Sequence, residues 1–142
     1  MVEKLTFRKL YLYELAEAGI AVPVLLMSGD RQTEFKAKLD TGASGCIFAR
    51  IYGEDLGLDI EKGTPQRVGT VTGSFLTYGH RVTLSVLGIA FDATVYFAKD
   101  AGFTRSVLGR QSCLDRLRIG LIDYEAKLYL SDYNDPIEEL SR

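Results

Sequence analysis

The chain has 142 residues, 46% apolar and 25% charged, with a formal net charge of −2. That size suits one domain with its own core, and the balance is that of an ordinary globular protein. Scattered lysines and arginines argue against a nucleic-acid partner, and no apolar run nears the length of about 20 residues that would make a membrane span.

The amino-terminal end, Met1-Val2-Glu3-Lys4-Leu5, lacks the uninterrupted apolar core of a signal peptide. Residues 5–18 send mixed signals: Leu5 and Phe7 alternate as in a strand, whereas Glu14-Leu15-Ala16-Glu17-Ala18 favours helix. From Ile20 onward, period-2 alternation with β-branched and aromatic residues dominates. Residues 20–26 read as a strand, with Pro23 marking an edge or a bulge. Ser28-Gly29-Asp30 is a turn, and residues 33–39 form the strand that delivers Asp40. After the short apolar run Cys46-Ile47-Phe48, residues 50–57 make one or two helical turns, closed by Gly57 as a C-terminal cap. Glu61-Lys62-Gly63-Thr64-Pro65 is turn chemistry. Residues 66–70 and 75–86 read as two strands around a turn near Thr72-Gly73, and Leu87-Gly88 reverses the chain into a strand over 89–97. Residues 99–105 are loop-like. Ser106-Val107-Leu108 is a short strand ending at Gly109, followed by a short helix over 110–116. Residues 117–124 and 127–131 form a hairpin around Glu125-Ala126, and 132–142 are a polar tail. The sum is an all-β chain of about eight short strands with one or two short helices, its antiparallel sheets closing into a barrel or sandwich. With no repeat or linker, one domain over 20–131 follows, preceded by a segment 1–19 and trailed by 132–142.

Asp40-Thr41-Gly42-Ala43-Ser44 is the most informative stretch. An acid at the end of a strand, followed at once by a glycine turn, sits on rigid backbone at a surface-reachable bend, where a catalytic carboxylate is best held. Asp-Thr-Gly alone is an ordinary turn tripeptide. Its companions add weight: a strand before it, a short apolar strand after it, a hairpin farther on, and then Val107-Leu108-Gly109-Arg110. In that order the set resembles the retropepsin-like aspartic proteases, the homodimeric relatives of the retroviral enzymes, and most closely their bacterial members. The resemblance covers residues 20–130, and the chain has about the length of one half of a two-lobed pepsin-type enzyme.

The resemblance implies a closed, barrel-like acid-protease fold and a role for each matching position. Asp40 would be the catalytic carboxylate, and Thr41 would hydrogen-bond across a dimer axis. Gly42 would let the backbone approach a substrate, with Ala43 and Ser44 completing the loop. Val107, Leu108 and Gly109 would thread beneath that loop, and Arg110 would begin the carboxy-terminal helix. The hairpin tip Gly69-Thr70-Val71-Thr72-Gly73-Ser74 would be a flap over a bound peptide, and residues 1–19 would supply a strand or helix at the dimer interface. Two departures stand out. Viral members commonly carry an acid where this chain has Ser44, which leaves Asp115 or Asp123 to pair with Arg110. The flap holds only Gly69 and Gly73 near its tip, fewer glycines than its viral counterparts.

The chemistry has its own logic. The motif occurs once, whereas aspartic hydrolysis needs two carboxylates sharing a proton. Two Asp40 side chains at a two-fold axis, about 3 Å apart, would hold one proton between them. The ionised member would take a proton from water while the other polarised the peptide carbonyl. A homodimeric aspartic endopeptidase acting on peptide or protein substrates is therefore expected, with a catalytically silent peptide-binding or scaffolding domain of the same fold as the alternative. No cofactor is expected. His80, the sole histidine, has no ligand cluster at metal-binding spacing and reads as a strand-surface or loop residue. Cys46 and Cys113 read as small buried hydrophobes in a reducing, cytoplasmic setting. Tyr78, Tyr96, Tyr124 and Tyr129 suit half-buried strand faces. Asp100, Asp115 and Asp123 read as structural or solvated, and Arg116 and Arg118 as an exposed pair flanking Leu117.

Overall fold

Alternation along the chain becomes sidedness in space. In the computed structural model, which describes residues 1–137, strand β7 (Ile89–Ala98) buries Ile89, Phe91, Ala93, Val95 and Phe97 and turns Ala90 and Asp92 to solvent. Its partner β6 (Gly73–Val86) pairs with it antiparallel along ten positions, from Thr77 opposite Ala98 to Val86 opposite Ile89. The two meet at Leu87 and Gly88, whose φ values of 52° and 83° make the tight reversal that matches strand twist.

The remaining strands are β1 (Lys9–Leu12), β2 (Ala21–Ser28), β3 (Arg31–Leu39), β4 (Ile47–Phe48), β5 (Thr64–Thr70), β8 (Val107–Leu108), β9 (Leu117–Ile122) and β10 (Lys127–Asp132). Seven form one sheet in the order β2-β3-β8-β4-β7-β6-β5, and β2 pairs β6 as well, so six strands return on themselves. The retropepsin-type fold class expected from the sequence is the one observed, with two differences of detail. β4 and β8 contribute two residues each and share a single pairing, Ile47 opposite Val107, so the ring is joined there by one bridge and the barrel is not strictly closed. β3–β8 and β4–β7 are parallel pairs, so the sheet is mixed rather than purely antiparallel. Pro23 sits opposite Lys36 of β3, one residue before the β6 pairing begins at Val24, so its missing N–H costs no ladder bond on that side.

Helix α1 (Arg50–Asp55) stops at Gly57, whose φ of +75° turns the chain so that its N–H donates to Glu54 O (2.9 Å) and Leu58 N–H donates to Gly53 O (3.1 Å). The core is centred on Phe48, fully buried, with Phe35 edge-on at 5.0 Å and Phe97 at 6.2 Å between ring centroids. Tyr52 of α1 stacks on Phe35 at 3.9 Å.

Residues 5–18 hold no helix. Glu14-Leu15-Ala16-Glu17-Ala18 lies in turns and bends, and the ordered part is β1, which forms a second sheet β1-β10-β9 with the carboxy-terminal hairpin. The helix expected over 110–116 is likewise absent as an α-helix. Ser112 has φ 69° and Cys113 lies outside the helical region, so only one 3-10 turn forms, Leu114–Arg116. Arg118 is not on an exposed face. It is half-buried and donates to Thr6 O (2.9 Å) and to Asp135 O, tying the two ends of the described chain together. Of the expected tail, 138–142 lie outside the described residues.

Candidate active site

Asp40 follows directly from β3, and its backbone is fixed before its side chain is considered. Its N–H donates to Leu108 O (3.0 Å), and Leu39 stands beside Leu108 in the parallel β3–β8 pair. The loop then turns on itself: Ala43 N–H donates to Asp40 O (3.2 Å), and Gly42 N–H donates to Asp40 Oδ1 (2.9 Å). A short acidic side chain taking the N–H two residues on is the usual way such a turn is held. It leaves Oδ2 without a protein partner among the described residues, on a half-exposed carboxylate.

The segment after β8 grips the same loop from below. Arg110 N–H donates to Ala43 O (2.9 Å), and Gln111 N–H donates to Ser44 O (2.8 Å). A regular helix over 110–116 is broken instead at Ser112, whose φ is 69°, and Leu114 N–H and Asp115 N–H donate five residues back, to Gly109 O (3.1 Å) and Arg110 O (2.9 Å). Gly109 is buried where the loop passes closest. The structure thus brings Asp40, Gly42, Ala43 and Ser44 together with Val107, Leu108, Gly109 and Arg110, while Thr41 and Ser44 stay exposed.

Above the loop lies a cleft of about 470 Å³. Asp40, Gly42, Ala43, Ser44 and Gly45 form its floor. Gln66, Arg67, Val68, Gly69 and Thr70 of β5 and Phe75 of β6 form one wall; Thr94 and Tyr96 on the face of β7 turned away from the core contribute as well. Asp40 is the only acid among the lining residues. The β5–β6 hairpin turns at Val71 and Thr72, with Thr70 opposite Gly73 and Val71 fully exposed at the tip.

Residues 22–112 match the family model described as aspartyl protease. The chain belongs to the aspartyl protease family. No curated protein matches it. Among solved structures it is similar to a retropepsin-like aspartic protease from Rickettsia conorii, at 18% identity and TM-score 0.65, over 87% of this chain and 97% of that one. It is also similar to the EIAV protease complexed with the inhibitor HBY-793, at 22% identity and TM-score 0.52, over 68% of this chain and 86% of that one. At these identities the likeness establishes the fold.

In this aspartyl protease chain several side chains lie elsewhere than the sequence implies. Arg110 is exposed and pairs with neither Asp115 nor Asp123 among the described residues; Asp123 instead accepts a hydrogen bond from Tyr13 OH. Burial, and then that bond, push the Tyr13 hydroxyl up to about 12. His80 lies on strand β6 and is half-buried, with Nε2 2.9 Å from Ile60 O. Tyr124 lies in a 3-10 turn and is almost wholly exposed, whereas Tyr96 lines the cleft. Cys46 and Cys113 are free and fully buried beneath the loop; contact with Cys46, and burial, hold the Cys113 thiol above its ordinary range. Among the described residues no group of three or more His, Cys, Asp or Glu could hold a metal ion, and no helix is long and apolar enough to cross a membrane.

Sequence reasoning missed Phe103, Arg105 and Arg67 as cleft residues. Phe103 and Arg105 belong to the loop 99–105, whose course depends on tertiary packing. Arg67 was legible only as one polar position of a strand.

Proposed function

We propose that this chain is an aspartic endopeptidase that acts as a homodimer, with two Asp40 carboxylates sharing one proton across a two-fold axis. The observation that carries this reading is that Asp40, fixed by Gly42 N–H and by the backbone bond to Leu108, is the only acid lining the cleft. A single carboxylate cannot both activate water and protonate or polarise the carbonyl. A second copy of the same loop supplies the missing group, and a two-fold axis makes the shared patch self-complementary.

Within such a pair the ionised Asp40 takes a proton from water, and the water oxygen attacks the peptide carbonyl carbon. The protonated Asp40 hydrogen-bonds the carbonyl oxygen as the C=O bond opens; the proton taken from water then passes to the amide nitrogen as the C–N bond breaks, so that a carboxylic acid and an amine leave and the pair again holds one proton. Exposed Thr41 is placed to hydrogen-bond between the two loops. The hairpin from Gly69 through Thr70, Val71, Thr72 and Gly73 to Ser74 serves as the flap. β5 is the outer strand of its sheet, so it has a free edge along the cleft wall to which an extended peptide can add as one more strand. The functional unit includes β1 as well as 20–131, because β1 is hydrogen-bonded to β10. Two free, buried thiols fit a reducing compartment such as the cytoplasm.

The test combines a substitution with dilution. Asp40→Asn should abolish cleavage of a peptide library while leaving the circular dichroism and sedimentation unchanged. Cleavage at the wild-type rate in that variant, or full specific activity from a species that sediments as a monomer, would sink the reading. Peptide binding without product in the wild type would instead favour a silent binding domain.

A further inference from the structure

The charge of the cleft is opposite to that of the chain. The whole sequence carries a net charge of −2, yet the charged residues lining the cleft are Asp40, Arg67 and Arg105. The two arginines arrive from different elements, Arg67 from β5 and Arg105 from the loop before β8. Two other arginines are answered by carboxylates: Arg8 by Asp135 at 2.9 Å, and Arg50 by Glu61 at 2.7 Å and Glu54 at 3.2 Å. Among the described residues, Arg67 has only Ser74 Oγ as a partner, at 3.4 Å, and Arg105 has no ion pair. Both are exposed, so neither is tied up in holding the fold.

Beside them is an apolar shelf. Phe75 of β6 stacks on Phe103 of the 99–105 loop, with ring centroids 4.7 Å apart and planes 27° apart, and Ile47 lines the same cleft. Phe103 and Arg105 are two residues apart on one loop, so the apolar and cationic surfaces are neighbours.

We propose that this cleft selects extended peptides that carry acidic side chains within a residue or two of a bulky apolar one, with Arg67 and Arg105 receiving the carboxylates and Phe75–Phe103 the apolar group. The inference rests on the reading of the cleft as a peptide site. In a two-fold pair the effect doubles: four guanidiniums would surround two Asp40 carboxylates that share a proton. Arginine suits the task because its planar fork matches a carboxylate and stays charged at every working pH. Exposed ion pairs are individually weak, so two acidic positions together should give roughly a tenfold preference, sensitive to salt.

The experiment uses full-length Asp40→Asn protein and two fluorescein-labelled decapeptides. These are identical around a central Leu-Phe pair except that two flanking glutamates in one are glutamines in the other. Anisotropy titrations at about 50 mM salt should show the glutamate peptide binding roughly tenfold tighter, with the gap closing at about 500 mM as screening takes over. The preference should vanish in an Arg67→Gln, Arg105→Gln double variant. Equal affinity at low salt, no binding of either peptide, or a preference that survives in the double variant would overturn the proposal. Wild-type protein that cleaves both peptides equally, and only with Asp40 intact, would leave the endopeptidase reading standing and remove the acidic preference. A glutamate preference in binding with no product from the wild type would do the reverse.

Discussion

Gly109 passes so close beneath Gly45 that a Cβ built on it would lie 2.1 Å from the Gly45 carbonyl oxygen and 2.5 Å from its carbon. The obstacle is backbone, which cannot swing aside as a side chain can. Gly109→Ala must therefore push the Asp40 loop away from β8 and lengthen the bonds from Arg110 N–H to Ala43 O and from Gln111 N–H to Ser44 O. A loss of about 1–3 kcal/mol in urea unfolding is expected, of the size seen for overpacked interiors. An unchanged urea midpoint would show that the loop is not held as described.

The aromatic centre gives a larger effect. Phe48 is fully buried between Phe35 and Phe97 on a strand only two residues long, so little backbone pairing compensates for lost packing. Phe48→Ala should cost about 3–5 kcal/mol in chemical denaturation. A cost below about 1 kcal/mol would mean that the site collapses freely.

Acid sensitivity should trace to two surface ion pairs. The hydrogen bond from Arg50 holds the Glu61 carboxyl below its ordinary 4.5, and that from Arg8 holds Asp135 below its ordinary 3.8. Their contribution is present above those ordinary values and is lost as pH falls through the lower folded-state values. Glu61→Gln should flatten the acid limb of a stability-against-pH curve below about pH 5, and added salt should mimic part of the change. Identical acid limbs for variant and wild type would contradict the assignment.

The alkaline side has its own reporter. Tyr13, raised to about 12 from an ordinary 10.0, stays protonated in the folded protein where the unfolded chain has lost its proton. Stability is therefore unaffected by this group below pH 10.0 and declines between there and about 12. Tyr13→Phe should remove that part of the decline, and an ultraviolet titration should lose one late-ionising tyrosine. A wild-type curve in which every tyrosine ionises near 10 would refute it.

Much of this fold is legible in the sequence. Strict alternation over 89–97 produced a strand with one buried face, and Asp40 at the end of β3, followed by Gly42, appeared where a strand-end acid should. The failures share a cause. Residues 110–116 read as a helix, but the segment bends at Ser112, φ 69°, while Arg110 and Gln111 hold the Asp40 loop, a tertiary demand that local propensity does not record. Arg118 looked solvated because its partners, Thr6 and Asp135, lie far off in sequence or in the irregular segment after β10. Arg105 and Phe103 became cleft residues through the path of a loop, and no periodicity marks such a path.

The sheet order β1-β10-β9 fills both edges of β10 from its own chain. This strand therefore has no unpaired edge on which a strand of another molecule could be added. The outer edges of that sheet are those of β1 and β9. If two Asp40 loops must meet, as proposed above, abundance becomes the switch: the rate of cleavage should climb with the square of concentration while the protein is scarce.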